Sequence, residues 1–195
     1  MLIILTGKTA SGKDTIKFKL LKKYPNLTKV MTTTSRSPRV NEKNGVDYNF
    51  LSRNEFERKM LSGDFAEYVE YGGNLYGTEK KELTKTLNKD LLWKIDPSRA
   101  GEVRDFFKRS FPFNIAQELI KKVLVIYITV PDEIVFQRLK NRGLPQSEIQ
   151  QRMSDDKKIW QKYKDSYDFI VENISGKLDN TLDKVIKIID HNEDP

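Results

Sequence analysis

The chain has 195 residues, 37% hydrophobic, 10% aromatic and 32% charged, which fits one globular domain with a core and excludes a disordered chain. Its 35 Lys and Arg against 28 Asp and Glu give a net charge of +7, which favours anionic ligands such as phosphates or nucleic acid. Cysteine is absent and no apolar run approaches the ~18 residues of a membrane helix, so disulfides, thiolate metal sites and a membrane span are excluded.

Apolar runs alternate with helical patterns along the chain, beginning with "LIILT" at residues 2–6. Leu, Ile and Val fill these runs almost continuously, as strands that are buried on both faces require. The alternation predicts an α/β fold, in which helices flank a mostly parallel sheet. The predicted strands are 2–6, 91–95, 123–130 and 167–173, and the predicted helices are 12–23, 98–109, 131–142 and 178–190.

Two stretches break this alternation. Residues 31–81, which we call the insertion, are rich in Thr, Arg, Gly, Asn and Tyr, and their short alternating runs predict a small antiparallel unit. Residues 130–157, which we call the lid segment, have a charged helical pattern divided by "GLP" at 143–145, and predict a mobile lid. We therefore expect a single domain, 1–195, with its core at 1–30, 82–129 and 158–195. We expect a loop at 111–114.

The most specific motif is "GKTASGKDT" at residues 7–15, which we call the phosphate loop. Gly7 and Gly12 let the backbone turn its N–H groups inward, and the start of the following helix adds unpaired N–H groups and a positive dipole end. Lys13 supplies a mobile positive charge for the β and γ phosphates. Because the motif lies between a predicted strand and a predicted helix, we favour phosphate binding over a plain glycine turn.

Asp14 stands where this motif usually has a Ser or Thr that binds Mg²⁺. A carboxylate repels a neighbouring triphosphate, but it is also a hard oxygen ligand for Mg²⁺. Thr15 keeps a hydroxyl and a backbone N–H one residue later. The sequence therefore predicts a loop that binds phosphate, with Asp14 as the candidate Mg²⁺ ligand.

The insertion contains a second group of polar residues. Arg36 and Arg39, with the hydroxyl of Tyr48, suit a second phosphate that is well separated from the phosphate loop. Farther along, Glu67 can accept two hydrogen bonds from the N1–H and exocyclic amine of guanine, a donor pair that adenine lacks. Taken alone, the same residues also fit a solvated basic hairpin.

The chain resembles the guanylate kinase family. "TTSRSPRVNE" and "GVDYNF" are similar to the family's Arg-containing motif and the Gly-x-Asp-Tyr-x-Phe that follows it, and "FAEYVEYGGNLYGT" is close to its next motif. The resemblance covers nearly the whole chain, including "WKIDPSRAG", "RLKNRG" and "IVEN". It implies an α/β P-loop parallel sheet flanked by helices, with a small mixed NMP-binding insertion and a helical lid.

The resemblance also implies roles for individual residues. ATP would contact the phosphate loop and one residue near the adenine: Gly7, Lys8, Thr9, Ala10, Ser11, Gly12, Lys13, Asp14, Thr15 and Asn173. GMP would contact, through its phosphate, Arg36, Arg39, Tyr48 and Tyr76, with Glu42 beside them, and through its guanine, Thr32, Glu67 and Thr78. Asp96 would help to read the base or order the water and metal of the site. The resemblance also implies that Mg²⁺ would be held mainly by phosphates and water. The catalytic cations would be Lys13, Arg36, Arg39, Arg138, Arg142 and Arg152.

The expected activity is phosphorylation of GMP, and of dGMP, with ATP and Mg²⁺, in the cytoplasm and by a monomer or homodimer. No specific nucleic acid or membrane partner is expected. The sequence departs from the family pattern at Ser35, Asn41, Tyr68 and the pair Ser98-Arg99, which replaces Gln-Gly. Three alternatives stay open: another deoxynucleotide as acceptor, ribose 1,5-bisphosphate as acceptor, or a noncatalytic interaction module of the same fold.

Overall fold

The computed structural model describes residues 1–71, 73–174 and 176–192, and of Tyr71 only the backbone. Within these residues, five parallel strands form a sheet in the order β2-β7-β1-β8-β9. A second sheet has the order β4-β3-β6-β5. The strands are β1 Leu2–Gly7, β2 Thr28–Lys29, β3 Thr33–Thr34, β4 Asn49–Phe50, β5 Phe65–Tyr71, β6 Asn74–Glu79, β7 Leu91–Lys94, β8 Val123–Thr129 and β9 Phe169–Glu172.

Helices cover both faces of the parallel sheet, as the sequence predicts. They are α1 Lys13–Lys23, α2 Arg53–Leu61, α3 Lys80–Thr84, α4 Pro97–Gly101, α5 Val103–Ser110, α6 Phe113–Lys121, α7 Asp132–Asn141, α8 Gln146–Tyr163 and α9 Leu178–Asp190. Short 3₁₀ turns follow α3 and α8, at Lys85–Leu87 and Lys164–Ser166. In the part of the chain that is described, none of these helices has the length and apolar composition needed to cross a membrane.

The central strand β1 divides the core into two layers, because successive side chains of a strand point to opposite faces. Leu2 and Ile4 pack into the layer that contains residues of α4, α5, α6 and α8. Ile3 and Leu5 pack into the other layer, which contains residues of α1 and α9. All of these β1 side chains are buried, so β1 and the loop that follows it are firmly placed.

The insertion contains a mixed sheet and a helix. Strand β3 pairs parallel with β4 and antiparallel with β6, while β5 pairs antiparallel with β6. The antiparallel unit that the alternating runs predict is therefore wrong, and the mixed insertion that the resemblance implies is confirmed. The reason is the long connection between β3 and β4, residues 35–48, which returns the chain to the same end of the sheet before β4 begins, as parallel pairing requires. A capping box starts helix α2: Ser52 and Glu55 each bond the other's backbone N–H.

Two expectations for the core are corrected. The helix predicted at 98–109 is two helices, α4 and α5, that meet at Glu102. Gly101 is pressed against the ring of Tyr163, where an added Cβ would come within 2.5 Å of ring atoms. The loop predicted at 111–114 is shorter, because Pro112 precedes α6 with a backbone conformation (φ −54°, ψ 148°) that suits a helix start. The other predicted elements are found, with strand 167–173 shortened to β9.

The lid segment contains helix α7 and most of α8. These helices are separated at 142–145, so the predicted break at "GLP" is confirmed. Gly143 has φ +77°, a left-handed conformation that glycine adopts without a Cβ penalty, and Pro145 directly precedes α8. A small apolar cluster centred on Val135, Leu139 and Ile149 packs α7 against α8.

Candidate active site

The phosphate loop connects β1 to α1 at the carboxyl end of the parallel sheet. Gly7 (φ +141°) passes so close to β8 that a Cβ would lie 2.0 Å from the carbonyl oxygen of Ile128. Gly12 (φ +91°) precedes α1, and a Cβ there would lie 2.6 Å from the amide nitrogen of Asn173. Both glycines are therefore required by close packing as well as by backbone conformation.

Asn173 is buried beneath the phosphate loop. Its side-chain amide donates to the carbonyl of Ser11 at 2.8 Å, and its oxygen accepts from the hydroxyl of Thr181 at 3.1 Å. These contacts fix the loop against the chain that follows β9. The prediction that Asn173 also lies near an adenine stays a prediction, although a cavity of about 250 Å³ adjoins it and is lined in part by Gly12 and Thr15.

Lys13 is folded back onto the loop itself. Its ammonium donates to the carbonyls of Gly7 at 2.7 Å and Lys8 at 2.5 Å. Burial lowers the pKa of Lys13 to about 8, against the opposing effect of the Asp156 carboxylate. A cation with a lowered pKa, surrounded by loop carbonyls, has the position and charge to pair with an entering phosphate.

Helix α8 and the start of α7 also contact the phosphate loop, which the sequence patterns did not indicate. The buried carboxylate of Asp156 accepts from the backbone N–H of Thr9 at 2.8 Å. Burial raises the pKa of Asp156 above its ordinary value, while the Thr9 contacts and the charges of Lys13 and Lys8 act in the opposite direction. Lys8 pairs with Asp132, the first residue of α7. The lid segment is thus tied to the loop on both of its helices.

The lid arginines differ in what they contact. Arg138 donates to the carbonyl of Ala10 at 2.8 Å, so it already reaches the phosphate loop. Arg142 lines the same cavity as Gly12 and Thr15. Arg152 instead pairs with Glu148, one turn earlier on α8, at 2.7 Å. The structure therefore brings Arg138 and Arg142 to the loop, whereas Arg152 is engaged along its own helix.

Asp14 has a partner that the motif does not reveal. Its carboxylate accepts from Lys94, at the end of β7, at 2.6 Å, and Lys17 lies 3.9 Å away. Desolvation opposes its ionisation, but the hydrogen bond and charge of Lys94, with Lys17, bring the pKa of Asp14 below its ordinary value. In the sequence, the lysine that ends the apolar run "LLWK" was the feature that could have indicated this partner of Asp14.

The residues around Asp14 bear on how a magnesium ion would bind. Nowhere in residues 1–71, 73–174 and 176–192 do three His, Cys, Asp or Glu side chains gather as a metal cluster. Asp14 is the single carboxylate of the phosphate loop, and Lys94 already occupies one of its oxygens. This donor set fits an ion whose ligands are chiefly phosphate oxygens and water, as Mg²⁺ accepts, with Asp14 as its protein contact.

In the insertion, Arg36 is held by several neighbours. Its guanidinium pairs with Glu42 at 2.9 Å and donates to the carbonyl of Ser37 at 2.6 Å. It also lies 5.7 Å from the ring centres of both Tyr48 and Phe50, within the range of a cation–π contact. Glu42, predicted among the ligands of a bound nucleotide, orients Arg36 in this structure.

The remaining phosphate-side residues lie around Arg36. Tyr76 packs edge-to-face on Tyr48, with ring centres 6.5 Å apart. The side chain of Arg39 is exposed, and its backbone N–H donates to Glu42 at 2.7 Å. Asn41, where the family pattern has Gly, has φ +73°, a left-handed conformation that Asn tolerates better than most residues.

A carboxylate and a hydroxyl form the other part of the insertion site. Glu67 on β5 accepts from the hydroxyl of Thr78, which faces it on β6, at 2.8 Å. The side chain of Glu67 is only 9% exposed, and burial raises its pKa, opposed by Thr78 and by Arg99 of α4. Thr32 directly precedes β3, and its backbone carbonyl accepts from the N–H of Asn49. Asp96 caps α4 by accepting from the N–H of Ser98. Arg99 was not among the predicted site residues.

The phosphate loop, Lys94, the start of α7 and Asn173 all lie where parallel strands end, and ligands of open α/β sheets bind at this edge. A larger cavity of about 810 Å³ lies at the opposite edge, lined in part by Met1, Tyr24, Asp90 and Asn192. Its walls include none of the predicted site residues. The candidate active site is therefore identified by its lining residues and by its position at the carboxyl ends of the strands, and not by the volume of its cavity.

Comparison with known proteins identifies the family and a similar fold. The family described as guanylate kinase matches residues 1–192. The guanylate kinase of Fusobacterium nucleatum is 31% identical, with 97% of this chain and 96% of that protein covered. The guanylate kinase of Malacoplasma penetrans is 34% identical, with 96% and 91% covered. The crystal structure of guanylate kinase from Anaplasma phagocytophilum has a TM-score of 0.66 at 23% identity, covering 100% of this chain and 86% of that one, and shows the same fold.

Proposed function

The chain belongs to the guanylate kinase family, and from this premise we propose that it transfers the γ-phosphoryl group of ATP directly to the phosphate of GMP, giving ADP and GDP. The observation that carries the proposal is that cationic side chains lie in two separate places, the phosphate loop and the insertion, with a buried carboxylate and a hydroxyl also in the insertion. Lys13 marks the donor site, Arg36 marks the acceptor site, and Glu67 with Thr78 forms the pair that suits guanine.

On the donor side, the phosphate loop binds the polyphosphate of ATP through inward N–H groups and the ammonium of Lys13. To do so, Lys13 exchanges its contacts with the carbonyls of Gly7 and Lys8 for contacts with phosphate oxygens. Arg138 and Arg142 lie next to the loop and neutralise charge on the transferring group, and Arg152 joins them if it leaves Glu148.

On the acceptor side, Arg36 and Arg39 hold the phosphate of GMP with the hydroxyls of Tyr48 and Tyr76. Glu42 limits the freedom of Arg36, so less conformational entropy is lost when the phosphate binds. The attacking phosphate oxygen is already ionised at neutral pH, so we assign no general base. Catalysis then consists of aligning two polyanions and neutralising their repulsion.

Magnesium is the expected metal cofactor. Asp14 would be its protein contact, and the ion would supply positive charge between the phosphates of ATP. Lys94, bonded to Asp14, limits the negative charge that Asp14 presents to those phosphates.

The guanine is read by the pair on β5 and β6. The two oxygens of Glu67 accept from N1–H and from the exocyclic amine, and Thr78 and Thr32 complete the pocket. AMP would place an unprotonated N1 against the carboxylate and leave it without a donor, so it is disfavoured. The 2′-hydroxyl of the ribose has no part in this reading, which is why we expect dGMP to be accepted.

The test is release of ADP from Mg-ATP in a coupled assay with GMP, dGMP, AMP, UMP, dTMP and ribose 1,5-bisphosphate as acceptors. Turnover should be highest with GMP and dGMP. Preference for another deoxynucleotide or for the sugar phosphate would replace the acceptor that we propose. Absence of turnover with every compound would remove the enzymatic function and favour a noncatalytic module.

A further inference from the structure

Arg99 connects the core to the base-reading part of the insertion. It lies on α4 of the core, and its Nη2 donates to the backbone carbonyl of Tyr68 on β5 at 3.2 Å. Its Nε lies 4.0 Å from Oε2 of Glu67, the residue before Tyr68. A cation of the core therefore faces the carboxylate that we propose as the guanine acceptor.

Residues of the core hold helix α4 and the Arg99 side chain in place. Asp96 caps α4 by accepting from the N–H of Ser98 at 2.8 Å, and Gly101 packs directly on the ring of Tyr163. Nη1 of Arg99 lies 3.6 Å from Glu102, whose carboxylate also accepts from the hydroxyl of Tyr163. The guanidinium is thus held between Glu102 on one side and β5 on the other.

Among the residues that the structure describes, few charges other than Arg99 face Glu67. Thr78 contacts it from β6, and Asp96 acts on it from the start of α4 with the opposite sign to Arg99.

Helix α5 also packs on β5, through Ser110, which donates to the carbonyl of Ala66. The charged residues of α5 are directed elsewhere: Arg104 pairs with Asp168, Asp105 pairs with Lys108, and Arg109 is exposed.

We propose that Arg99 is a positioning residue for guanine recognition, which holds β5 and the Glu67 carboxylate in place as the acceptor of the two guanine N–H groups. This inference rests on the proposed function. Arg99 acts through Glu67 and does not touch the substrate. Because burial raises the pKa of Glu67 while Arg99 lowers it, removal of Arg99 raises that pKa further. A protonated Glu67 presents an O–H to a guanine donor, so binding is lost.

The experiment measures the dissociation constant of GMP by calorimetry between pH 5 and pH 8 for the wild type, Arg99→Gln, Arg99→Lys and Arg104→Gln. At pH 7, Arg99→Gln should bind GMP about tenfold more weakly, and its loss of binding on acidification should begin at higher pH. Arg99→Lys keeps the charge and should retain the wild-type pH profile. Arg104→Gln is the matched control, since Arg104 is 33% exposed against 34% for Arg99 and pairs away from the site.

The titration of the GMP phosphate, with a pKa of about 6, is common to all variants and cancels in the comparison. A double-mutant cycle then tests whether Arg99 acts through Glu67. With Glu67→Gln already present, Arg99→Gln should have little further effect on GMP binding. Three results would overturn the inference. The first is an equal further loss of GMP binding in the double variant, and the second is an unchanged pH profile in Arg99→Gln. The third is a pH profile for Arg99→Lys that matches that of Arg99→Gln. GMP turnover by the wild type tests the proposed function separately, so the two failures are distinguishable.

Discussion

The phosphate loop and the insertion hold their cationic side chains in place by different kinds of contact. In the loop, Lys13 is bonded to backbone carbonyls of its own loop, and the glycines at either end are fixed by close packing. In the insertion, Arg36 is held by side chains, with Glu42 as its ion partner and aromatic rings beside it. One site is a backbone cradle and the other is a network of side chains.

This difference indicates what each site tolerates. A backbone cradle depends on a few positions and keeps its form when neighbouring side chains change, as at Asp14. A side-chain network loses orientation when any member is removed, because each member is fixed by the others. Substitutions in the loop should therefore either abolish catalysis or leave it nearly unchanged, depending on the position. Substitutions in the insertion should instead weaken the affinity for the acceptor to an intermediate extent.

The largest effect is expected from Lys13→Met, which keeps the length of the side chain and removes its charge. The rate kcat with Mg-ATP and GMP should fall by about 1,000-fold or more, because the other cation of the loop, Lys8, is paired with Asp132 and does not replace Lys13. Lys19→Met is the control: Lys19 lies on the same helix and pairs with Asp179 near the surface. Loss of less than about tenfold in Lys13→Met would show that the loop cation is dispensable.

An intermediate effect is expected from Arg36→Gln in the side-chain network. The KM for GMP should rise by about 100-fold while the KM for ATP stays near its wild-type value, since a charged ligand of the acceptor phosphate is lost. Arg53→Gln, in the same insertion but paired with Glu57 on the surface, should leave both constants unchanged. Equal rises in the two KM values would contradict a separate acceptor site.

The smallest effect is expected from Asp14→Ser. The ion pair with Lys94 involves a carboxylate that is 73% exposed, so its loss should change stability little. Activity should remain, and the Mg²⁺ concentration that gives half-maximal rate should shift within about fivefold. Asp179→Ser removes a similar exposed partner of a lysine and serves as the control. If Asp14→Ser created activity in an inactive parent, the phosphate loop would have been nonfunctional.

The same contrast explains what the sequence could predict. The phosphate loop is local, so its motif and the strand and helix beside it were sufficient to place Gly7, Gly12 and Lys13. The pairing of Asp14 with Lys94 joins residues 80 positions apart, and no local pattern reports it. Helices α4 and α5 are divided at Glu102, beside the place where Gly101 packs against Tyr163, and this packing is also a contact between distant parts of the chain.

For the insertion, the resemblance supplied the residues and the mixed type of the sheet, but not the contacts between side chains. Alternating runs predicted strands, yet they could not specify that β3 pairs parallel with β4. Glu42 lies 6 positions from Arg36 in one irregular loop, and Arg99 meets Glu67 from another element, so periodicity indicates neither contact. Propensity and periodicity report the local chain, so side chains that meet across elements were missed unless a motif already named them.

The most direct test of the account compares GMP with inosine monophosphate, which lacks only the exocyclic amine, in the wild type and in Glu67→Gln. The wild type should prefer GMP in kcat/KM by about tenfold or more, because the amine donates to the second oxygen of Glu67. In Glu67→Gln, an amide N–H₂ faces that amine, so the preference should fall to about one or below while ATP affinity stays unchanged. Retention of the wild-type preference in Glu67→Gln would contradict the assignment of Glu67 as the residue that reads guanine.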